Sequence, residues 1–246
     1  MKRILGLLLL VLMGLALFPA YSWAGEWGLG IGVAARQAPQ KDTDVEVVAM
    51  PFPQYDGERL SATFGSVSYL LTSSDRFRVA LEGQLRFDGY KSDESAALNG
   101  MKDRDVTLDA GFSVATSDTW GVLSLKFLGD ALGVHEGYEI SASYQYPLQF
   151  ENWTLVPSIS VKMPSADLVD YYYGVRATEA TADRTSYAGK SAINTAIGMN
   201  AIYQIADHWQ FAGGAEYVRL GSGIADSPII ERDHEATVFS ALVYRF

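Results

Sequence analysis

Apolar and polar residues alternate with a period of two, in one segment after another. Trp27, Leu29, Ile31, Val33 and Ala35 interleave with Glu26, Gly28, Gly30, Gly32 and Ala34. Phe77, Val79, Leu81, Leu85 and Phe87 alternate with Arg76, Arg78, Glu82, Gln84, Arg86 and Asp88. The same rhythm runs through 105–114, 138–148, 153–163, 193–205 and 208–217, more briefly through 123–127, and finally from Ala236 to Phe246. Successive side chains of a strand point to opposite faces, so each segment predicts a strand with one greasy and one wet face. A single segment of this kind would suit a soluble sandwich equally well. Eight or more in series predict an all-β fold, a transmembrane antiparallel β-barrel that is apolar outside and polar inside.

The connections support that fold. Short polar turns at 72–75, 116–119, 149–152 and 206–208 alternate with longer stretches near 37–58, 89–103, 129–136, 164–189 and 221–234. This is the arrangement of short periplasmic turns and longer outer loops. Four inner turns and five outer loops give ten strands. Val45–Phe52 is strand-like by itself, whereas Leu60–Leu71 patterns poorly. Either the first folds within the first loop or an extra hairpin makes twelve strands; ten is the expectation. Trp27, Trp120, Trp153 and Trp209 each fall at the start of an upward strand, which predicts a girdle of aromatic rings at the periplasmic interface.

Ahead of the first segment, Lys2 and Arg3 precede an apolar run from Ile4 to Phe18, and Ser22-Trp23-Ala24 offers small residues for a peptidase. The expectation is a cleaved signal peptide over 1–24 and a single barrel domain over 25–246. The aromatic ending Tyr244-Arg245-Phe246 fits an assembly signal carried by Tyr244 and Phe246 and read by the barrel-assembly machinery. With outer-membrane lipid around the barrel, the expected compartment is the outer membrane of a Gram-negative bacterium.

Composition narrows the function. Two of the 19 basic residues lie in the leader, leaving 17 against 29 acidic ones, a poor match to nucleic acid. There is no cysteine, so neither a lipid-anchored thiol nor a disulfide framework is available. His135, His208 and His234 are followed two residues on by Gly137, Gln210 and Ala236, so none shares a strand face with a neighbouring serine. Asp207-His208 and Asp233-His234 are adjacent pairs whose side chains diverge on a strand. Three scattered histidines give no metal-ligand spacing. A non-enzymatic protein without cofactor or metal is expected.

The inward-facing set is instead a collection of charges. Arg76, Arg78, Arg86, Lys126, Lys162 and Arg245 share the interior with Glu82, Asp88, Asp105, Asp109, Glu139 and Glu216. Two outcomes are open: an ion-paired plug, since an unpaired buried charge is costly, or a narrow pore, for which the inward glycines would leave space. On the loop at 164–189, Tyr171, Tyr172 and Tyr173 form either a binding surface or a lid over the mouth.

Several stretches, in order along the chain, carry a resemblance. They are Pro53-Gln54-Tyr55-Asp56-Gly57-Glu58-Arg59, Gly65-Ser66-Val67-Ser68-Tyr69-Leu70, Gly129-Asp130-Ala131-Leu132-Gly133-Val134-His135-Glu136-Gly137, Asp170-Tyr171-Tyr172-Tyr173-Gly174-Val175, His208-Trp209, Ser227-Pro228 and Tyr244-Arg245-Phe246. Together the sequence resembles the MipA/OmpV family of outer-membrane proteins. The resemblance implies an outer-membrane barrel, with a scaffold for murein-synthesising and murein-cleaving enzymes as the first functional expectation. A porin-like channel or small-molecule binder, and an adhesin acting through outer loops, are the alternatives it carries.

Overall fold

The computed structural model describes residues 25–246, and the leader expected over 1–24 lies outside them. The alternating segments form a closed antiparallel barrel. The strands are β1 (Gly25–Gln37), β2 (Val45–Gly57), β3 (Leu60–Thr63), β4 (Ser66–Ser73), β5 (Phe77–Arg86), β6 (Thr107–Asp118) and β7 (Gly121–Asp130). They continue with β8 (Tyr138–Gln145), β9 (Leu148–Phe150), β10 (Trp153–Pro164), β11 (Asn194–Ala206), β12 (Trp209–Arg219) and β13 (His234–Arg245). Each neighbour in sequence is a neighbour in space, and β13 closes on β1 from Gly28↔Arg245 to Gln37↔Ala236. β9 resumes the line of β8 past Tyr146-Pro147, and both pair with β10. Among the described residues the barrel therefore has twelve staves, with β9 as a broken-off piece of the eighth.

Ten strands was the expectation, and twelve is the finding. Val45–Gly57 is a full stave paired with β1 over its whole length, and not part of an outer loop. The extra hairpin is β3–β4, turning at Phe64-Gly65, where Gly65 takes a φ of 78° that L-residues disfavour. The first outer connection shrinks to 38–44.

The register places the side chains. Leu29, Ile31 and Val33 stand outward with Leu242, Pro51 and Ala49 beside them, and Ile31 is 73 % exposed, as a lipid-facing residue is. Trp27, Trp120, Trp153 and Trp209 are all exposed at one end of the staves. The packed apolar core lies elsewhere, among the outer loops. Tyr90, Leu98 and Met101 come from 87–106, and Leu168, Val169, Tyr172, Tyr173 and Val175 from the loop after β10. Leu220, Ile224, Ile229 and Ile230 come from the loop after β12.

Helix α1 (Ala166–Tyr173) starts where Ser165 Oγ accepts from the Leu168 N–H, with Asp167 in its first turn. It supplies four of those core residues. A one-turn helix α2 (Ser222–Ala225) adds Ile224.

Candidate functional site: the sealed outer half of the lumen

Three loops meet over the barrel mouth and bury Leu98, Leu168, Val169, Tyr172 and Ile229 at 1 % exposure or less. Each such side chain contributes ~1.5–3 kcal/mol of burial, so the cap is a small domain core and not a loose fringe. Two arginines pin it. Arg104 from the first long loop donates to both carboxylate oxygens of Glu179, at 3.3 and 3.1 Å, with both side chains almost fully buried. Its guanidinium also donates to the Tyr171 and Lys102 carbonyls and lies over the Tyr90 and Tyr171 rings. Arg184 donates to the Glu179 and Asn99 carbonyls, tying the same two loops. Burial alone would raise the Glu179 carboxyl. Hydrogen bonds from Arg104 and from the Lys102 and Arg176 N–H groups outweigh it and hold that carboxyl below the ordinary range.

Of the two roles open to the tyrosine run, the geometry is that of the lid. Tyr172 is fully buried, Tyr173 nearly so, and Tyr171 is partly buried against them. Tyr172 Oη donates to the Asp105 carbonyl, and the Tyr171 hydroxyl accepts from the Asp105 N–H. No tyrosine of the three is left as a free binding face.

Directly beneath, ion pairs run from β13 to β8. Arg36 meets Glu235 through Nε at 2.6 Å and Asp88 through Nη2 at 3.5 Å. Asp88 meets Arg86 at 3.0 Å, and Arg86 also holds Asp109 at 2.7 Å and Glu139 at 3.5 Å. Lys162 pairs with Glu216 at 2.9 Å across the intervening β11. This layer brings together Arg86, Asp88, Asp109, Glu139, Lys162 and Glu216 of the expected lumen set, and adds Arg36 and Glu235.

The other expected members lie apart. Asp105 is in an outer loop, paired with Lys91, because β6 begins only at Thr107. Arg76 sits in the turn between β4 and β5, exposed and 3.5 Å from Asp118. Arg245 pairs with Glu26 where β13 and β1 end. Glu82 accepts from Ser68 and Ser113. Arg78 and Lys126 face inward below the ionic layer with no ion-pair partner among the described residues.

Two of the inward glycines lie against neighbouring backbone and supply no open space. A Cβ on Gly30 would stand 2.2 Å from the Leu242 carbonyl oxygen, and one on Gly111 1.8 Å from that of Phe127. They let adjacent staves approach closely.

One constellation escaped the sequence reading. His135 and Asp109 are both buried, with Nε2 2.9 Å from Oδ1. The Gly137 N–H donates to Nδ1, so Nδ1 is the acceptor and Nε2 carries the proton given to Asp109. Asp130 completes a trio close enough to face a common point. Its oxygens, however, accept from the Leu132, His135 and Glu136 N–H groups and from Thr107 Oγ1. The trio locks the β7–β8 loop onto the end of β6. The sequence signal was available in Asp130 and His135 within one loop, but their partner is 26 residues away and not on the same strand.

The family follows from the comparison of this chain with known proteins. A family model described as "MltA-interacting protein MipA" matches residues 28–246. The chain belongs to the MipA family. Among its relatives, the outer membrane protein OmpV of Vibrio cholerae is 29 % identical over 228 residues, covering 92 % of this chain and 89 % of that one. The MltA-interacting protein of Escherichia coli is 26 % identical over 225 residues, covering 90 % and 91 %. Among solved structures, the NanC porin is similar with a TM-score of 0.43 and 11 % identity, over 88 % of this chain and 98 % of that one. This MipA-family chain is an outer-membrane barrel.

Proposed function

We propose that this protein is a non-enzymatic envelope scaffold, a barrel closed on its outer side whose periplasmic rim engages a murein-processing enzyme. The observation that carries the reading is the seal. A packed lid and an ion-pair layer occupy the outer half of the lumen, which argues against a standing diffusion pore. Among the described residues the periplasmic end has no such cap, and its turns present Glu58, Arg59, Arg76, Glu151 and Asp207 to solvent. These turns are short, so a partner would seat across several of them and not in one long loop. The name of the Escherichia coli relative, an MltA-interacting protein, suggests the partner class. Both His135 ring nitrogens are engaged, one by Gly137 and one by Asp109, which leaves neither for activating a nucleophile.

The test is a pull-down from a membrane extract with the detergent-purified barrel and with its Arg59→Glu/Arg76→Glu variant. Murein enzymes retained by the first and lost by the second would support the reading. Retention of none by the unmodified barrel would overturn it.

A second reading, a narrow channel for small anions opened by lid displacement, is favoured by Arg78 and Lys126, the inward cations without an ionic partner. It predicts conductance steps that lose anion selectivity in Lys126→Ala.

A further inference from the structure

Among the described residues the barrel wall is incomplete. β2 runs for 13 residues, yet its other neighbour, β3, has four and meets it only at Tyr55↔Ala62 and Asp56↔Ser61. From Val45 to Gln54, β2 is laddered to β1 alone, and no ladder joins it to β5. The opening has the β2 edge on one side and the end of β5 on the other. Its floor is the β3–β4 tip, where the Leu85 N–H donates to the Gly65 carbonyl and the Phe64 and Phe87 rings stack at 6.0 Å. Burial agrees with a missing neighbour: Val47 and Val48 face opposite ways, and they are 65 % and 40 % exposed.

Three features say what fits there. First, the opening is level with the apolar belt, because Pro51 and Ala49 stand beside the lipid-facing Ile31 and Val33. Second, below the Arg36 guanidinium, which donates to the Phe87 carbonyl, the inner wall is apolar: Val48, Met50 and Phe52 point inward opposite Ala34, Gly32 and Gly30, and Phe52 stacks on Phe239 at 6.5 Å. Third, at Pro51 and Pro53 the edge offers acceptors without donors. The β1–β2 ladder runs unbroken through Ile31↔Pro51 and Leu29↔Pro53, so its bonds there come from the flanking residues, and the proline nitrogens face the gap. An edge without N–H at two successive gap-facing positions is a poor template for an added strand. Its carbonyls still require donors in hydrocarbon.

We propose that this lateral opening is a binding site for a small uncharged amphiphile, an apolar body with one hydroxyl, taken from the outer leaflet. The body lies on Met50, Phe52 and Phe239, and the hydroxyl donates to a free carbonyl of Pro51 or Pro53. The site is independent of the periplasmic rim.

A diazirine-bearing long-chain alcohol and its methyl ether, photolysed with the refolded chain in phospholipid vesicles, test this. The alcohol is expected to label peptides carrying Met50, Phe52 and Phe239 about tenfold more than the ether, the ratio of one hydrogen bond. Phe52→Asp should abolish that labelling. Met50→Ala/Phe239→Ala, which adds no charge to the wall, should reduce it, with both variants retaining heat-modifiable mobility. Labelling confined to lipid-facing residues such as Ile31, or equal from alcohol and ether, would overturn the proposal. So would equal labelling of the inner wall by a diazirine phospholipid.

Discussion

Arg104 and Glu179 lie 75 residues apart in sequence and meet with almost no solvent around them. Removing one partner of such a pair leaves a buried charge without compensation, so Glu179→Ala should destabilise the lid by about 3 kcal/mol. Limited proteolysis of the 87–106 loop measures it. Because the Glu179 carboxyl is held below its ordinary value, the pair stabilises fully at pH above the usual carboxylate range. That contribution is lost progressively as pH falls from the ordinary carboxylate value through the lowered one. The lid should therefore keep its hydrogen-exchange protection at pH 5 and lose it in stronger acid. Tyr90 makes the opposite case: its hydroxyl is buried with no hydrogen-bond partner among the described residues, and burial pushes it up to about 12. Tyr90→Phe should leave stability unchanged or raise it by up to ~1 kcal/mol, read from the thermal midpoint.

At the scale of elements, the long staves were legible because each has enough residues for the two-residue period to show. β3 has four, two to a face, and its neighbours Glu58 and Arg59 are charged, so no period could emerge. β2 was visible as a strand-like run but was assigned to a loop, since an isolated stave made the count odd. Pro51 and Pro53, which read against a central strand, mark its open side. Replacing both with alanine gives that edge two N–H donors. The variant should form dimers or larger species on refolding, seen by light scattering; a monomer would show that the edge is shielded from strand pairing.

Across the whole molecule, fold and compartment followed from patterning, whereas the state of the lumen did not. Which side chains point inward is a matter of parity. Whether Arg86 meets Glu139 depends on shear and diameter, and those are properties of the closed ring. The lid was harder still, since its residues bury against other loops and obey no period. Arg86→Ala leaves Asp88, Asp109 and Glu139 without their common cation, and should lower stability by about 3 kcal/mol. In a planar bilayer the unmodified barrel is expected to stay silent at neutral pH. Frequent large steps would mean that the seal is not the resting state.

The lid also orders events in time. Its core joins Tyr90, Tyr172 and Ile229, from the loops after β5, β10 and β12. Loop-closure entropy sets the cost of such distant contacts, and most of it is met once β13 has found β1. Lid packing is thus a late clock of assembly, lagging behind the ladders in a refolding experiment. A barrel stalled before closure would display Leu168, Val169 and Ile229 as bare apolar surface, a chemical mark by which unfinished copies differ from finished ones.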